Sequence, residues 1–200
     1  MRILSWNIRG LGSKVKKSSI KKFCQLHRVN VCFIQETEME MISKEEVRKL
    51  WGDDSCEFRF IAAIGKSGGL LTMWSIDDFL VSNVWCDDRV LIIEGKWVKE
   101  DLEAVLVNIY APNILRNFNV VRCKSERSCC WGSEKGTREF ENFIFDCNLI
   151  DLPLENKKSR LDKFLLDEFW LLKMKDLQQI RLKRSVSDHI PILLADAEVD

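Results

Sequence analysis

The sequence predicts an α+β fold in which strands dominate, organised as a single domain over residues 1–200. Three observations carry this expectation. An apolar strand, an amphipathic helix and a second apolar strand follow one another in the first 36 residues. Short apolar runs separated by turn-forming residues then fill positions 58–110. Finally, 200 residues with 46% hydrophobic content suffice for one large core.

Taken in order, Ile3–Asn7 reads as a buried strand. Ser13–His27 reads as a helix, because Val15, Ile20, Phe23 and Cys24 recur near helical spacing with lysines opposite them. Val29–Gln35, with its β-branched residues, reads as a second strand and ends at Glu36. Strand, helix, strand in that order favours a parallel pair. Lys44–Trp51 reads as a short helix. Phe58–Ile64, Gly69–Trp74, Phe79–Val84, Val90–Trp97 and Ala104–Tyr110 read as an antiparallel meander, with Lys99-Glu100-Asp101 turning the last pair. Beyond Pro112 the pattern thins. Asn119–Arg122 is a scrap of strand, Cys123–Gly136 is polar and unpatterned, and Arg138–Cys147 is a helix with Phe140, Phe143, Ile144 and Cys147 on one face. Leu149–Leu154 and Leu161–Leu166 are short apolar runs; Gln178–Leu182 and Ile190–Ala195 are strand candidates.

Basic and acidic residues balance at 31 each, which argues against a strongly basic nucleic-acid coat but leaves room for local patches. The runs KVKKSSIKK and RLKR are read as solvated faces. Eight cysteines are too few for a disulfide scaffold. No two are spaced as CxxC, and Cys123, Cys129 and Cys130 have no nearby histidine, so they make a poor zinc site. There is no signal-like segment and no apolar run of membrane-spanning length. The expectation is an intracellular chain with reduced thiols, no membrane and no signalled protein partner.

Several polar residues close apolar runs: Asn7, Glu36, Asn113 beyond Tyr110, and Asp188-His189 just before IPILL. Each alone is by default a turn residue. Together they supply a carboxylate for a hard divalent ion, amides and a phenol for a phosphate, and an Asp-His pair. Loops at strand ends are where a rigid sheet presents such groups.

With SWNIRGLG, QET, SGGLL, NIYAPN, FNVVR, SRLDKFL and SDHIPILL in this order, the chain resembles the endonuclease/exonuclease/phosphatase superfamily. It is most similar to the apurinic-endonuclease-like domain of plant-type non-LTR (LINE-type) retrotransposons. The resemblance covers nearly the whole chain. It implies a four-layer α/β sandwich of two facing mixed sheets with helices outside, and Mg²⁺-dependent (or Mn²⁺-dependent) hydrolysis of DNA phosphodiesters. A nuclear place of action is compatible with that family. By resemblance, Glu36 is the principal metal ligand and Asp188 stands at the metal site, while Asn7 and Asn113 bind phosphate. Tyr110 lies near the scissile phosphate; it is the only tyrosine in a chain with 11 phenylalanines. Asp162 and His189 match an orienting pair, in which the carboxylate fixes the tautomer and the ring faces the phosphate. Ser67-Gly68-Gly69 matches a turn where glycine permits close backbone approach. His27 is read as a helix-surface residue.

Three departures stand out. The family carries a Gly-Asp-Phe-Asn stretch; here Asn119 matches its asparagine, but Asn117 stands in place of its aspartate, and an amide cannot take up a proton. Asn113 and Asn119 are six residues apart, at most ~20 Å fully extended, where a parallel crossover needs about a dozen residues or more. A second shortening precedes SRLDKFL, where relatives carry a Phe-Thr-Trp strand and this chain has only Lys157 and Lys158. Three readings follow: an impaired nuclease, a catalytically dead relic with weak nucleic-acid binding, and a small-substrate phosphatase. The glycine turn and SRLDKFL disfavour the last.

Overall fold

The computed structural model describes residues 1–65, 67–110, 145–146, 148–152, 164–174 and 176–196. Among them, a six-stranded mixed sheet faces a three-stranded antiparallel one. The chain opens with β1 (Arg2–Asn7), α1 (Lys14–Leu26) and β2 (Val31–Gln35), and β1 and β2 pair in parallel as the strand–helix–strand order requires. α2 (Lys44–Trp51) follows, then β3 (Cys56–Ile61) and β4 (Leu70–Ser75). β5 (Phe79–Asp87), β6 (Val90–Trp97) and β7 (Leu102–Ile109) form the second sheet. β8 (Leu149–Asp151) pairs with β9 (Leu165–Asp167), which runs into α3 (Glu168–Lys173). β10 (Leu177–Arg181) and β11 (Ile192–Asp196) close the first sheet, in the order β10-β11-β1-β2-β4-β3.

The expected meander is corrected in one respect. β5, β6 and β7 are consecutive hairpin partners, but β3 and β4 belong to the first sheet, where β4 pairs antiparallel with β2. β4 is buried at every position, so it sits inside a sheet covered on both faces; β7 alternates strictly between buried and exposed. The strand expected through Ile64 ends at Ile61, and Ile64 instead forms an isolated antiparallel bridge with Ser67. α3 was not anticipated. Asp167 caps it by accepting from the Phe169 amide at 2.7 Å.

Two cores flank the first sheet. One lies between the sheets and contains Phe33, Leu70, Leu91, Ile93, Trp97 and Trp170. The other lies under α1 and α2 and contains Trp6, Ile20, Ile34, Leu50 and Met73. α2 is held at its start by Ser43, whose hydroxyl accepts from the Glu46 amide at 3.3 Å, and Glu46 in turn pairs with Lys17 of α1 at 2.5 Å. The described residues thus form helix, sheet and sheet layers of the expected sandwich. The strand scrap at Asn119–Arg122 and both shortened segments lie outside the described residues, as does nearly all of the Arg138–Cys147 helix.

Candidate active site

Topology brings five chain segments to one rim. β1 and β2 run in parallel and end there; β4 and β11 run antiparallel to them and begin there. Tyr110 follows directly on β7 and packs over the turn before β4: a Cβ built on Gly68 would lie 3.3 Å from its ring.

Asn7, the last residue of β1, is buried, and its side-chain amide donates to Glu36 Oε1 at 2.7 Å. Glu36 follows β2 with φ +52, a left-handed conformation uncommon outside glycine. Arg9 (φ +48) and Glu38 (φ +54) share it. Such residues cost roughly 1–3 kcal/mol each and persist only where neighbours over-determine them. Here the neighbours are explicit. The two loops are laced together by Gly10 N–H donating to the Glu36 carbonyl (2.7 Å) and Leu11 N–H donating to that of Thr37 (2.8 Å). The third loop joins through Thr37 and Glu38 amides donating to the carbonyls of Gly69 (3.2 Å) and Gly68 (3.0 Å). Gly69 has φ +84, and a Cβ there would stand 2.3 Å from Thr37 Oγ1, so the close approach of these loops requires glycine.

The Ser187–His189 loop docks on the same end of β1. Ser187 Oγ donates to the Asn7 carbonyl at 2.9 Å and accepts from the His189 amide at 3.2 Å, while the Trp6 indole donates to the His189 carbonyl at 3.2 Å. Between Glu36 and Asp188 lies the Arg9 guanidinium, with Nη1 at 2.5 Å from Asp188 Oδ2 and Nε at 3.9 Å from Glu36 Oε2.

Beneath the rim a polar network ties the two sheets. Gln35 Nε2 donates to Asn108 Oδ1 of β7 at 2.8 Å and to Ser5 Oγ at 3.2 Å; Asn108 Nδ2 donates to the Leu71 carbonyl and Thr72 Oγ1, both at 3.2 Å. Asn108 is fully buried, so its amide must be satisfied inside the protein, and it is.

The electrostatics follow from these neighbours. Partial burial pushes the Asp188 carboxyl up, but the Arg9 guanidinium, His189 and local hydrogen bonds outweigh it and hold the group below its usual range. Burial, with the nearby Glu36 carboxylate second, pushes the Tyr110 phenol above its usual value against the opposing pull of Ser67, Arg9 and Arg89. A separate cavity of about 430 Å³ opens between the sheets, lined by residues such as Phe33, Leu106, Phe164 and Trp170; it contains neither rim carboxylate.

Of the residues singled out in the sequence, Asn7, Glu36, Tyr110, Asp188 and His189 are brought to this rim. Asn113, Asn117, Asn119 and Asp162 lie outside the described residues. Sequence reasoning missed Arg9, Ser187, Gln35 and Asn108. All four stand inside quoted motifs, within two residues of a residue singled out. An arginine among several carboxylates at strand ends was the available signal.

No model of a known protein family matches the chain, and no curated protein does. Solved structures do. The chain is similar to the AP endonuclease LMAP of Leishmania major, with a TM-score of 0.73, 14% identity, and coverage of 96% of this chain and 86% of that one. It is similar to an AP endonuclease of Archaeoglobus fulgidus, with a TM-score of 0.69, 12% identity, and coverage of 98% and 99%. The catalytic domain of Xenopus laevis APE2 gives a TM-score of 0.62, 12% identity, and coverage of 98% and 91%. The fold is therefore the one these AP endonuclease structures share, an α/β sandwich of facing mixed sheets.

Proposed function

We propose that this chain is a divalent-ion-dependent phosphodiesterase of the endonuclease type, acting on DNA, related to LINE-type retrotransposon nucleases and slow. The observation that carries this reading is the convergence of Asp188 and of Glu36, itself held by the Asn7 amide, on one cationic position at the rim. Two carboxylates aimed at one positive group are a hard-oxygen donor set. That suits Mg²⁺ or Mn²⁺, ions of a kind that can be held by one or two carboxylates, with water and phosphate oxygens completing the shell. Among the described residues there is no cluster of three or more His, Cys, Asp or Glu to hold a metal ion, as a water-rich site would not need one.

Glu36 and Asp188 would hold the ion, which supplies positive charge to a phosphate oxygen. The chain does the rest. Asn7 fixes the Glu36 carboxylate. Asn7, Asn113 and Asn119 offer amides to the phosphate. Tyr110, whose phenol stays protonated at neutral pH, donates to it. His189, oriented by Asp162, stabilises the charge that develops on phosphate oxygens. Asn117 stands where a proton carrier is needed, and losing a general acid/base removes typically ~10²–10⁴-fold in rate. That same substitution favours the second reading, a relic that binds nucleic acid without turnover.

Nicking of supercoiled plasmid separates the two. We expect slow nicking that requires Mg²⁺, raised little by Asn117→Asp and much more by grafting in the crossover helix and strand of an intact relative. Misplacement by ~1 Å can cost ~10²-fold, so restoring a carboxylate on a short tether is a partial repair. Nicking at background level in wild type would favour the relic. Asn117→Asp matching the grafted chain would refute the geometric explanation.

A further inference from the structure

We propose that Arg9 is the chain's own counter-cation for the Glu36–Asp188 pair, so that a divalent ion binds only by displacing its guanidinium. The inference rests on the metal reading above and goes beyond it, since it makes ion binding an exchange.

The geometry supplies the argument. Arg9 contacts both carboxylates, one closely at 2.5 Å and one loosely at 3.9 Å. It is aimed there by its backbone rather than by chance. Its φ of +48 is held by its own N–H donating to Asn7 Oδ1 at 3.3 Å, by the Gly10 strap to Glu36, and by Lys16 Nζ donating to its carbonyl. Glu36 is mostly buried while Asp188 and Arg9 are half-exposed, so the arginine is the solvent-facing partner of the buried carboxylate. A guanidinium is a wide, delocalised monocation; a compact dication interacts with the same oxygens more strongly and repels the guanidinium. Both cannot occupy the space between these groups.

The test is Mn²⁺ binding to the full chain, followed by the loss of the free-ion paramagnetic resonance signal. Arg9→Asn removes the charge yet suits the left-handed backbone; Arg9→Lys keeps the charge. We expect Arg9→Asn to bind Mn²⁺ about tenfold more tightly, from removal of a like charge at a partly screened rim. Arg9→Lys should stay within about threefold of wild type, because a monocation remains at the rim. In wild type, the Arg9 side-chain N–H resonance should shift on Mg²⁺ addition with the same midpoint as ion binding, a readout that needs no variant. Unchanged or weaker binding by Arg9→Asn, or a silent Arg9 resonance, would overturn the exchange while leaving the metal site standing. Absence of binding in wild type and in Arg9→Asn alike would overturn both.

Discussion

Asn7 and Glu36 end two parallel, adjacent strands, and the amide of the first donates to the carboxylate of the second at 2.7 Å. That bond joins a buried amide to a mostly buried acid. Replacing Asn7 by Ala leaves the carboxylate without this donor and should cost about 1.5–3 kcal/mol, the range for hydrogen bonds to charged groups. Urea denaturation of wild type and Asn7→Ala measures it. A loss below about 0.3 kcal/mol would show that the pair is incidental to the fold.

Gly69 should tolerate no side chain. Its φ of +84 and the 2.3 Å gap to Thr37 Oγ1 predict that Gly69→Ala loses roughly 2–4 kcal/mol, from strain plus overlap. Among the described residues Thr37 Oγ1 has no hydrogen-bond partner, so Thr37→Ala sacrifices none there. The double variant should therefore recover part of the loss. A thermal melt in which Thr37→Ala gives no recovery would place the cost in the backbone alone.

The inter-sheet network makes a separate prediction. Asn108→Ala leaves Gln35 and Thr72 short of a buried partner and should destabilise by about 2–3 kcal/mol. Asn108→Asp should also destabilise, because it introduces an acid whose described hydrogen-bond partners, Gln35, Leu71 and Thr72, include no cation. Equal stability of Asn108→Ala and wild type in urea would refute the network's structural role.

Tyr110 offers a direct electrostatic readout, since it is the sole tyrosine. Burial first, and Glu36 second, raise its pKa. A near-ultraviolet absorbance titration should therefore give a midpoint above the ordinary tyrosine value, and Glu36→Gln should lower it. The sign for stability follows: the folded state holds this proton more tightly, so the contribution is intact below the unfolded tyrosine pKa and is lost as pH rises through the folded one. A midpoint at or below the ordinary value would contradict the placement of Tyr110 beside Glu36.

Much of the fold was legible because strands advertise themselves locally. β6 spans Val90–Trp97 as the apolar pattern and its flanking turns predict, and the β1–α1–β2 order forces a parallel pair. Sheet membership was not legible for β3 and β4: a hairpin reads the same locally whichever sheet it joins, and only packing against β2 decides. α3 escaped notice because it is only six residues long and its apolar positions, Phe169–Leu172, run continuously with no clear period. At the rim, Asn7 and Glu36 were visible as polar residues closing apolar runs. Arg9 and Ser187 were not, because their roles depend on partners far along the chain; Ser187 and Asn7 are 180 residues apart.

The central claim is that the rim around Glu36 is a divalent-ion site. Titration calorimetry of Mg²⁺ into wild type and Glu36→Ala tests it most directly. We predict weak binding by wild type that Glu36→Ala abolishes; identical binding by the two proteins would contradict the account.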